Sequence, residues 1–395
     1  MDLSLCMIVK DEEATLPDCL ASVRGVVDEL VVVDTGSRDR TIEIARSCGA
    51  HVYSFEWCDD FAAARNYSLQ YAQGNWVLVL DADEVLNPEI IPALKQVICL
   101  EDALVVTLLR QEVGARQAPY SLISRLFRRH PDISFSRPYH ELIDDRVTAL
   151  IQREPHWKVL ELPGVAIRHS GYQPETIARR QKHDRARRIM EKYLETHPDD
   201  AYLCNKLGAL YAEMGELAQG RELLHRGLQA AIEPTLLYEL HYHLGSIAHQ
   251  TGDLAEAAHH YQRAVEQPVS PNTKLAAYHD WGRLQQEQGN LAAAQILYQK
   301  TVEINPSFAA GYVNLGLVLK GLGKLAEAIA HYQQAIQLQP EYAEAHQNLA
   351  VALLKAGQVS QSMEAFRRAI DLYQQQNSPE AERLRQGLQE IGFVL

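Results

Sequence analysis

Asp81 and Asp83 stand two residues apart behind the apolar run of residues 76–80, WVLVL, with Glu84 directly after them. Residues two apart in extended chain face the same way. Two carboxylates side by side repel unless a cation or hydrogen bonds compensate. Hard oxygen ligands of this kind suit Mg2+ or Mn2+, which are held through one or two carboxylates plus the phosphates of a substrate. Other acids follow strand-like runs in the same way. Asp11 and Glu12 come after LSLCMIV, and Asp34 ends ELVVVD. An aspartate at a strand end also serves as a turn or helix cap, so each acid alone has two readings. Acids at three strand ends together favour a ligand site.

Those acids need a scaffold that brings strand ends to one edge. Strand-like runs at 3–9, 29–34, 51–55 and 76–80 alternate with helical segments from about Glu12 to Val23, from Thr41, and from Asp59 to Gly74. This alternation predicts a mostly parallel α/β sheet. In such open sheets ligands bind beyond the carboxyl ends of the strands.

From about Asp200 the pattern becomes helical and repeats. KLGALYAEMG, HLGSIAHQTG, DWGRLQQEQG, NLGLVLKGLG and NLAVALLKAG align, with trailing glycines at 215, 252, 289, 323 and 357. A period near 34 residues with this pattern is similar to the tetratricopeptide repeat, a stacked helix–turn–helix unit. Tyr261, Tyr298, Tyr332 and Phe366 recur at one repeat position and read as packing between helices. Asn205, Asn314 and Asn348 recur at another and could meet a peptide backbone, since an amide both donates and accepts. The divisions expected are an α/β domain over 1–172, a connector helix over 173–199 and about five repeats over 200–395. Arg179, Arg180, Lys182, Arg185, Arg187 and Arg188 fall around the whole circumference of that connector, which predicts a solvated linker.

The net charge of −13 argues against general nucleic-acid binding. Six cysteines without a CxxC pair predict neither a zinc site nor a disulfide framework, and reduced thiols point to the cytoplasm. No run approaches the ~20 apolar residues of a membrane span, which leaves contact with a membrane surface open. P-loop, GxGxxG and GxSxG motifs are absent.

Taken in order, LSLCMIVKDEE, ELVVVDTGSRDRT, FAAARNYSL and GNWVLVLDADE resemble the inverting glycosyltransferases of family 2, with the GT-A fold. The resemblance covers about residues 3–172. It is closest to the branch of lipopolysaccharide-core transferases and sublancin-type peptide S-glycosyltransferases. It implies a nucleotide-sugar donor, a UDP-sugar by family frequency, and Mn2+ or Mg2+. Asp11, Glu12, Asp34, Arg65, Asp81 and Ala82 would lie along the donor, and Asp83, with Asp81, would hold the metal. Asp11 departs from the family's usual asparagine. In IRHSGY (167–172) the resemblance makes His169 a further metal ligand or diphosphate contact. An inverting transfer needs a base for the acceptor's proton. An HE pair recurs at this place in the branch it resembles, and in SRPYHELID this implies Glu141 as the candidate, with Asp144 and Asp145 as rivals.

The resulting expectation is a metal-dependent inverting glycosyltransferase whose acceptor is a peptide or protein docked by the repeats. Alternatives are a transferase of cell-surface glycan or lipopolysaccharide assembly, a repeat scaffold with a degenerate catalytic domain, and a nucleotidyltransferase.

Overall fold

The structure is a computed structural model that describes residues 2–113, 120–170 and 176–393, the side chains of 176–182 excepted. It divides into two compact units, Met1–Ala230 and Ala231–Leu395.

The first unit opens on β1 (Leu3–Val9), α1 (Leu16–Ser22), β2 (Glu29–Asp34), α2 (Thr41–Ser47), β3 (His51–Ser54), α3 (Phe61–Leu69) and β4 (Trp76–Val79). It continues with β5 (Glu84–Leu86), α4 (Ile91–Val97), β6 (Ala103–Glu112), β7 (Tyr120–Arg128), α5 (Asp144–Arg153) and β8 (Lys158–His169). All eight strands form one sheet in the order β3-β2-β1-β4-β7-β6-β8-β5. β1 to β4 pair in parallel, β6 pairs β8 in parallel, and β7 and β5 run antiparallel to their neighbours. Six of the eight strands therefore run in one direction, as a mostly parallel sheet requires, and β5 and β7 are reversed. β7 carries Arg125 and Arg128 among its apolar residues, which hid it from a reading by apolar runs.

Both faces of the central strands are covered, which explains their unbroken apolar sequence. Leu3, Leu5, Met7, Trp76 and Leu78 pack on one face against Leu16 and Leu20 of α1 and Leu94 of α4. Cys6, Val77 and Val79 pack on the other against Ala62 of α3 and Val147 and Leu150 of α5. The carboxyl ends of β1, β2 and β4 share one edge because the three are parallel. β5 lies across β8 with Glu84 opposite His169, and β6 lies on the other side of β8 with Glu112 opposite His169. One cross-sheet row thus joins the end of β8 to the acidic turn after β4.

The first unit also holds α6 (Thr176–Thr196), α7 (Ala201–Glu213) and α8 (Leu217–Ala230). The expected junction at 172/173 lies outside the described residues, as do the side chains of Arg179, Arg180 and Lys182. From 183 onward α6 is not a solvated linker. Ala186, Met190 and Leu194 are buried with Leu203, Cys204 and Leu207 of α7, and Tyr139 packs against the same cluster. The Arg185 guanidinium lies 4.5 Å over the Trp57 ring, and Arg137 pairs with Asp200 at 2.8 Å. Asp200 also caps α7 by accepting from the Leu203 N–H. The burial of an apolar stripe outweighed a basic composition that pointed in every direction.

The second unit stacks helical pairs: α9 (Pro234–Gln250) with α10 (Leu254–Glu266), α11 (Leu275–Glu287) with α12 (Leu291–Ile304), α13 (Ala309–Gly321) with α14 (Leu325–Leu338), and α15 (Ala343–Lys355) with α16 (Val359–Gln375), followed by α17 (Glu380–Glu390). Tyr261, Tyr298, Tyr332 and Phe366 are buried, as the repeat pattern predicted. A Cβ on Gly316 would stand 2.6 Å from the Tyr332 ring, so only glycine fits that crossing. Among the described residues no helix is long and apolar enough to cross a membrane.

Candidate active site

The loops after β1 and β2 are tied to each other by reciprocal bonds. The Asp11 N–H donates to Ser37 Oγ at 3.0 Å, and Asp11 Oδ1 accepts from the Arg38 N–H at 2.7 Å. The Glu13 N–H donates to Asp39 Oδ2 at 3.0 Å, and the Glu12 N–H to Thr41 Oγ1 at 2.7 Å. Asp11 sits at φ 55°, a conformation Asp and Asn both tolerate. Its side chain acts there as an acceptor, so the departure from asparagine leaves this contact intact. Asp34 is buried, and its carboxylate accepts from the Gly36 and Ser37 N–H groups at 3.0 and 3.1 Å. In this geometry Asp34 folds the turn. Burial, with Asp83 and Asp81 nearby, raises the half-buried Glu12 carboxyl above its ordinary range.

Asp81 and Asp83 do not face the same way. The Glu84 N–H bonds back to the Asp81 carbonyl at 3.0 Å, and this turn through Ala82 breaks the extended spacing assumed from sequence. The two carboxylates join different groups. Asp81 belongs to a cluster with Arg65, Arg125 and Glu141. Arg65 donates to Asp81 at 2.6 Å and also bonds Glu141, and Arg125 lies 3.6 and 3.7 Å from the same two carboxylates. Both Asp81 oxygens thus face guanidiniums. The expectation of Asp81 as a metal ligand beside Asp83 does not hold in this arrangement. Burial opposes ionisation of Asp81 and Glu141, but Arg65 first and Arg125 second hold both carboxyls below the ordinary range.

Two guanidiniums and two carboxylates balance in charge, yet the donors are not used up. The Nη1 groups of Arg65 and Arg125 are buried without a hydrogen-bond partner among the described residues. Leaving a buried donor unpaired costs about 1–3 kcal/mol, and oxygens of a bound ligand are the natural acceptors. The depressed carboxyls also set a pH dependence. Their unfolded values lie near about 4 and their folded values below that. The stability they confer is therefore complete above the unfolded value and is lost as pH falls through the folded one. The cost of replacing Arg65 by Met should accordingly be constant from pH 8 to 6 and shrink below about pH 4. Urea unfolding of both proteins across that range checks this.

Asp83 turns instead to β8. Its Oδ2 lies 3.1 Å from His169 Nε2, and its carbonyl accepts from the Ser170 N–H at 3.1 Å. His169 Nδ1 is bonded to Glu112 at 2.5 Å. Hydrogen bonds donated to Asp83 and Glu112 push the imidazole up to about 10, so a cation entering at Nε2 would displace a proton. Glu84, the third acid of the run, is turned into the protein. It accepts from the Asp81 N–H at 2.9 Å and pairs with Arg110 at 3.0 Å. Among the described residues no three His, Cys, Asp or Glu side chains form a ready metal cage. Asp83 and His169 still fit a divalent cation that takes its other ligands from a diphosphate and water.

Glu141 is buried rather than exposed at a helix start. Its rivals are placed differently. Asp144 accepts from Ser124 Oγ at 2.8 Å, and Asp145 pairs with Arg137 at 2.6 Å. Sequence reasoning missed Arg110, Glu112 and Arg125. The only signal was the alternation of Arg110 and Glu112 at the end of an apolar run, which reads equally as a solvent-facing strand.

A mixed sheet with acids gathered at the ends of parallel strands, followed by stacked helical pairs, defines an α/β domain joined to a repeat array. Residues 4–160 match the family described as Glycosyl transferase family 2. Residues 205–271, 279–337 and 343–376 match tetratricopeptide repeats, as does 320–357. The chain carries an N-terminal family 2 glycosyltransferase domain and C-terminal tetratricopeptide repeats.

A TPR repeat-containing protein of Synechococcus elongatus is 51% identical over 243 residues, which are 61% of this chain and 60% of that one. An uncharacterized glycosyltransferase of Rickettsia typhi is 27% identical over 44% of this chain and 62% of its own length. The SPbeta prophage-derived glycosyltransferase SunS of Bacillus subtilis is 27% identical over 49% of this chain and 45% of its own. The chain thus spans about three fifths of the length of the first two relatives and less of the third.

Proposed function

We propose that the chain is an inverting glycosyltransferase that uses a nucleotide sugar and a divalent cation, with a peptide or protein acceptor held by the repeats. The observation that carries this reading is the Asp83–His169 pair beside the Arg65–Asp81–Arg125–Glu141 cluster. Asp83 and His169 would hold Mn2+ or Mg2+. A cation bound there supplies charge opposite the leaving nucleoside diphosphate. A positioned electrostatic group in such a site is worth roughly 3–4 kcal/mol. The unpartnered Nη1 groups of Arg65 and Arg125 would donate to donor oxygens. The tied loops of Asp11, Glu12 and Asp34 would shape the nucleotide edge, and Ala82 would bring backbone close to the donor. Glu141 would take the proton of the acceptor nucleophile.

Stacked tetratricopeptide units form extended concave surfaces, and this supports the peptide acceptor. The asparagine set supports it unevenly. Asn205 is fully buried and out of reach of a docked chain. Asn314 is bonded to His279 at 2.8 Å, and Asn348 accepts from Lys320 at 3.3 Å. Any peptide contact of this kind falls to Asn314 and Asn348.

Asp83→Ala tests the cation. Wild-type protein should bind a nucleoside diphosphate at least about tenfold more tightly with Mn2+ than with excess chelator, a difference of about 1.4 kcal/mol. The variant should lose that difference and keep its fold, since Asp83 is only half-buried. Calorimetric titration reads both. Equal affinity of the wild type with and without metal would reject the cation.

A further inference from the structure

We propose that Glu112 is a positioning residue that fixes His169 for the cation site, and that Arg110 and Glu84 extend it into a brace for the whole Asp81–Glu84 turn. The proposal rests on the reading that Asp83 and His169 face a divalent cation.

The brace follows from register. Glu84, His169 and Glu112 are cross-strand neighbours on β5, β8 and β6. Arg110 lies two residues before Glu112, on the same face of β6. Each link is short. His169 Nδ1 meets Glu112 Oε2 at 2.5 Å, and Glu112 Oε1 meets Arg110 Nε at 2.9 Å. Arg110 Nη1 meets Glu84 Oε1 at 3.0 Å, and Glu84 Oε2 accepts from the Asp81 N–H at 2.9 Å. Ser121 Oγ of β7 accepts from Arg110 Nε at 3.2 Å and steadies the middle. One chain of charge-assisted bonds therefore runs from the ring of His169 to the backbone of Asp81. It grips the acidic turn at both ends while Asp83 stands between them.

The consequence for His169 is orientational. An Nδ1–H held by a carboxylate leaves Nε2 as the ring atom that faces Asp83. A carboxylate behind a ligating imidazole sets ring orientation and raises ligand basicity, and losing one typically costs about 10–100-fold in metal affinity. Glutamine at 112 would still accept from Nδ1–H, whereas alanine would not. Arg110 keeps Glu84 in either case, so the inner half of the brace survives.

The test uses Mn2+ with a saturating nucleoside diphosphate as probe on the full chain. Affinity is measured by titration, and electron spin-echo modulation detects a directly bound histidine nitrogen. Wild type should bind Mn2+ with one such nitrogen, which His169→Ala removes. Glu112→Ala should weaken Mn2+ by about 10–100-fold and lose the nitrogen signal. Glu112→Gln should keep the signal and most of the affinity. Equal affinity and signal in wild type and Glu112→Ala would overturn the role of Glu112 and leave the cation reading standing. Loss in Glu112→Gln as deep as in Glu112→Ala would overturn positioning through the Nδ1 bond. Wild-type protein that binds no Mn2+, or binds it without a histidine nitrogen, would overturn the cation reading and this inference with it.

Discussion

Glu141→Gln is expected to lower sugar transfer by about 10²–10⁴-fold, the usual worth of general base catalysis, with nucleoside-diphosphate affinity changed by no more than a few-fold. Glutamine keeps the shape and removes the proton acceptor. The fold should tolerate it, because Arg65 retains Asp81 at 2.6 Å. Glu141 is held below its ordinary range by Arg65 and Arg125, so it is ionised at neutral pH but a weak base while paired. Arg65 and Arg125 both meet Glu141 through Oε1, so the acceptor nucleophile would give its proton to Oε2. A transfer assay with the native acceptor, alongside titration of the nucleoside diphosphate, separates chemistry from binding. Turnover near that of wild type would move the role to Asp144 or Asp145.

Replacing Arg65 by Met should destabilise the first unit by about 3–5 kcal/mol, the cost of removing one partner from a buried pair. Arg65 is 3% exposed, and among the described residues it alone hydrogen-bonds both Asp81 and Glu141. Arg125 sits too far from both carboxylates to replace those bonds. Methionine fills similar space with no charge, so the loss reports the electrostatics rather than a cavity. Urea unfolding at pH 7 measures it. A loss under about 1 kcal/mol, as at a solvent-exposed pair, would show that the cluster is open to water. Donor binding should weaken in the same variant, because an unpartnered Nη1 group is lost with the side chain.

The early strands and the repeats were legible because each leaves a simple mark on the sequence, the strands as apolar runs and the repeats as a period. The runs at 3–9, 29–34 and 76–79 are buried on both faces and read as unbroken apolar segments. The glycines at 215, 252, 289, 323 and 357 all adopt positive φ between helices, and that need spaces them regularly. The site was legible in its residue types but not in its pairings. Asp81 and Asp83 look equivalent in sequence, and a single turn sends one to Arg65 and the other to His169. Glu84 follows them directly in sequence, yet it is fully buried. Arg110 and Glu112 became meaningful only through strand order, since β8 must lie between β6 and β5 before the row exists. Asn205 failed as a groove residue because it is fully buried, on a helix that packs against α6 inside the N-terminal unit. A repeat alignment does not contain that neighbour.

The most direct measurement of a glycosyltransferase acting through Asp83 is turnover of a panel of nucleotide sugars with Mn2+, followed by phosphorus NMR. The expected product is a nucleoside diphosphate, released slowly to water and faster with an acceptor peptide or protein, and lost on chelation or in Asp83→Ala. Release of pyrophosphate would instead indicate nucleotidyl transfer, and a panel left intact under every condition would contradict an active catalytic domain.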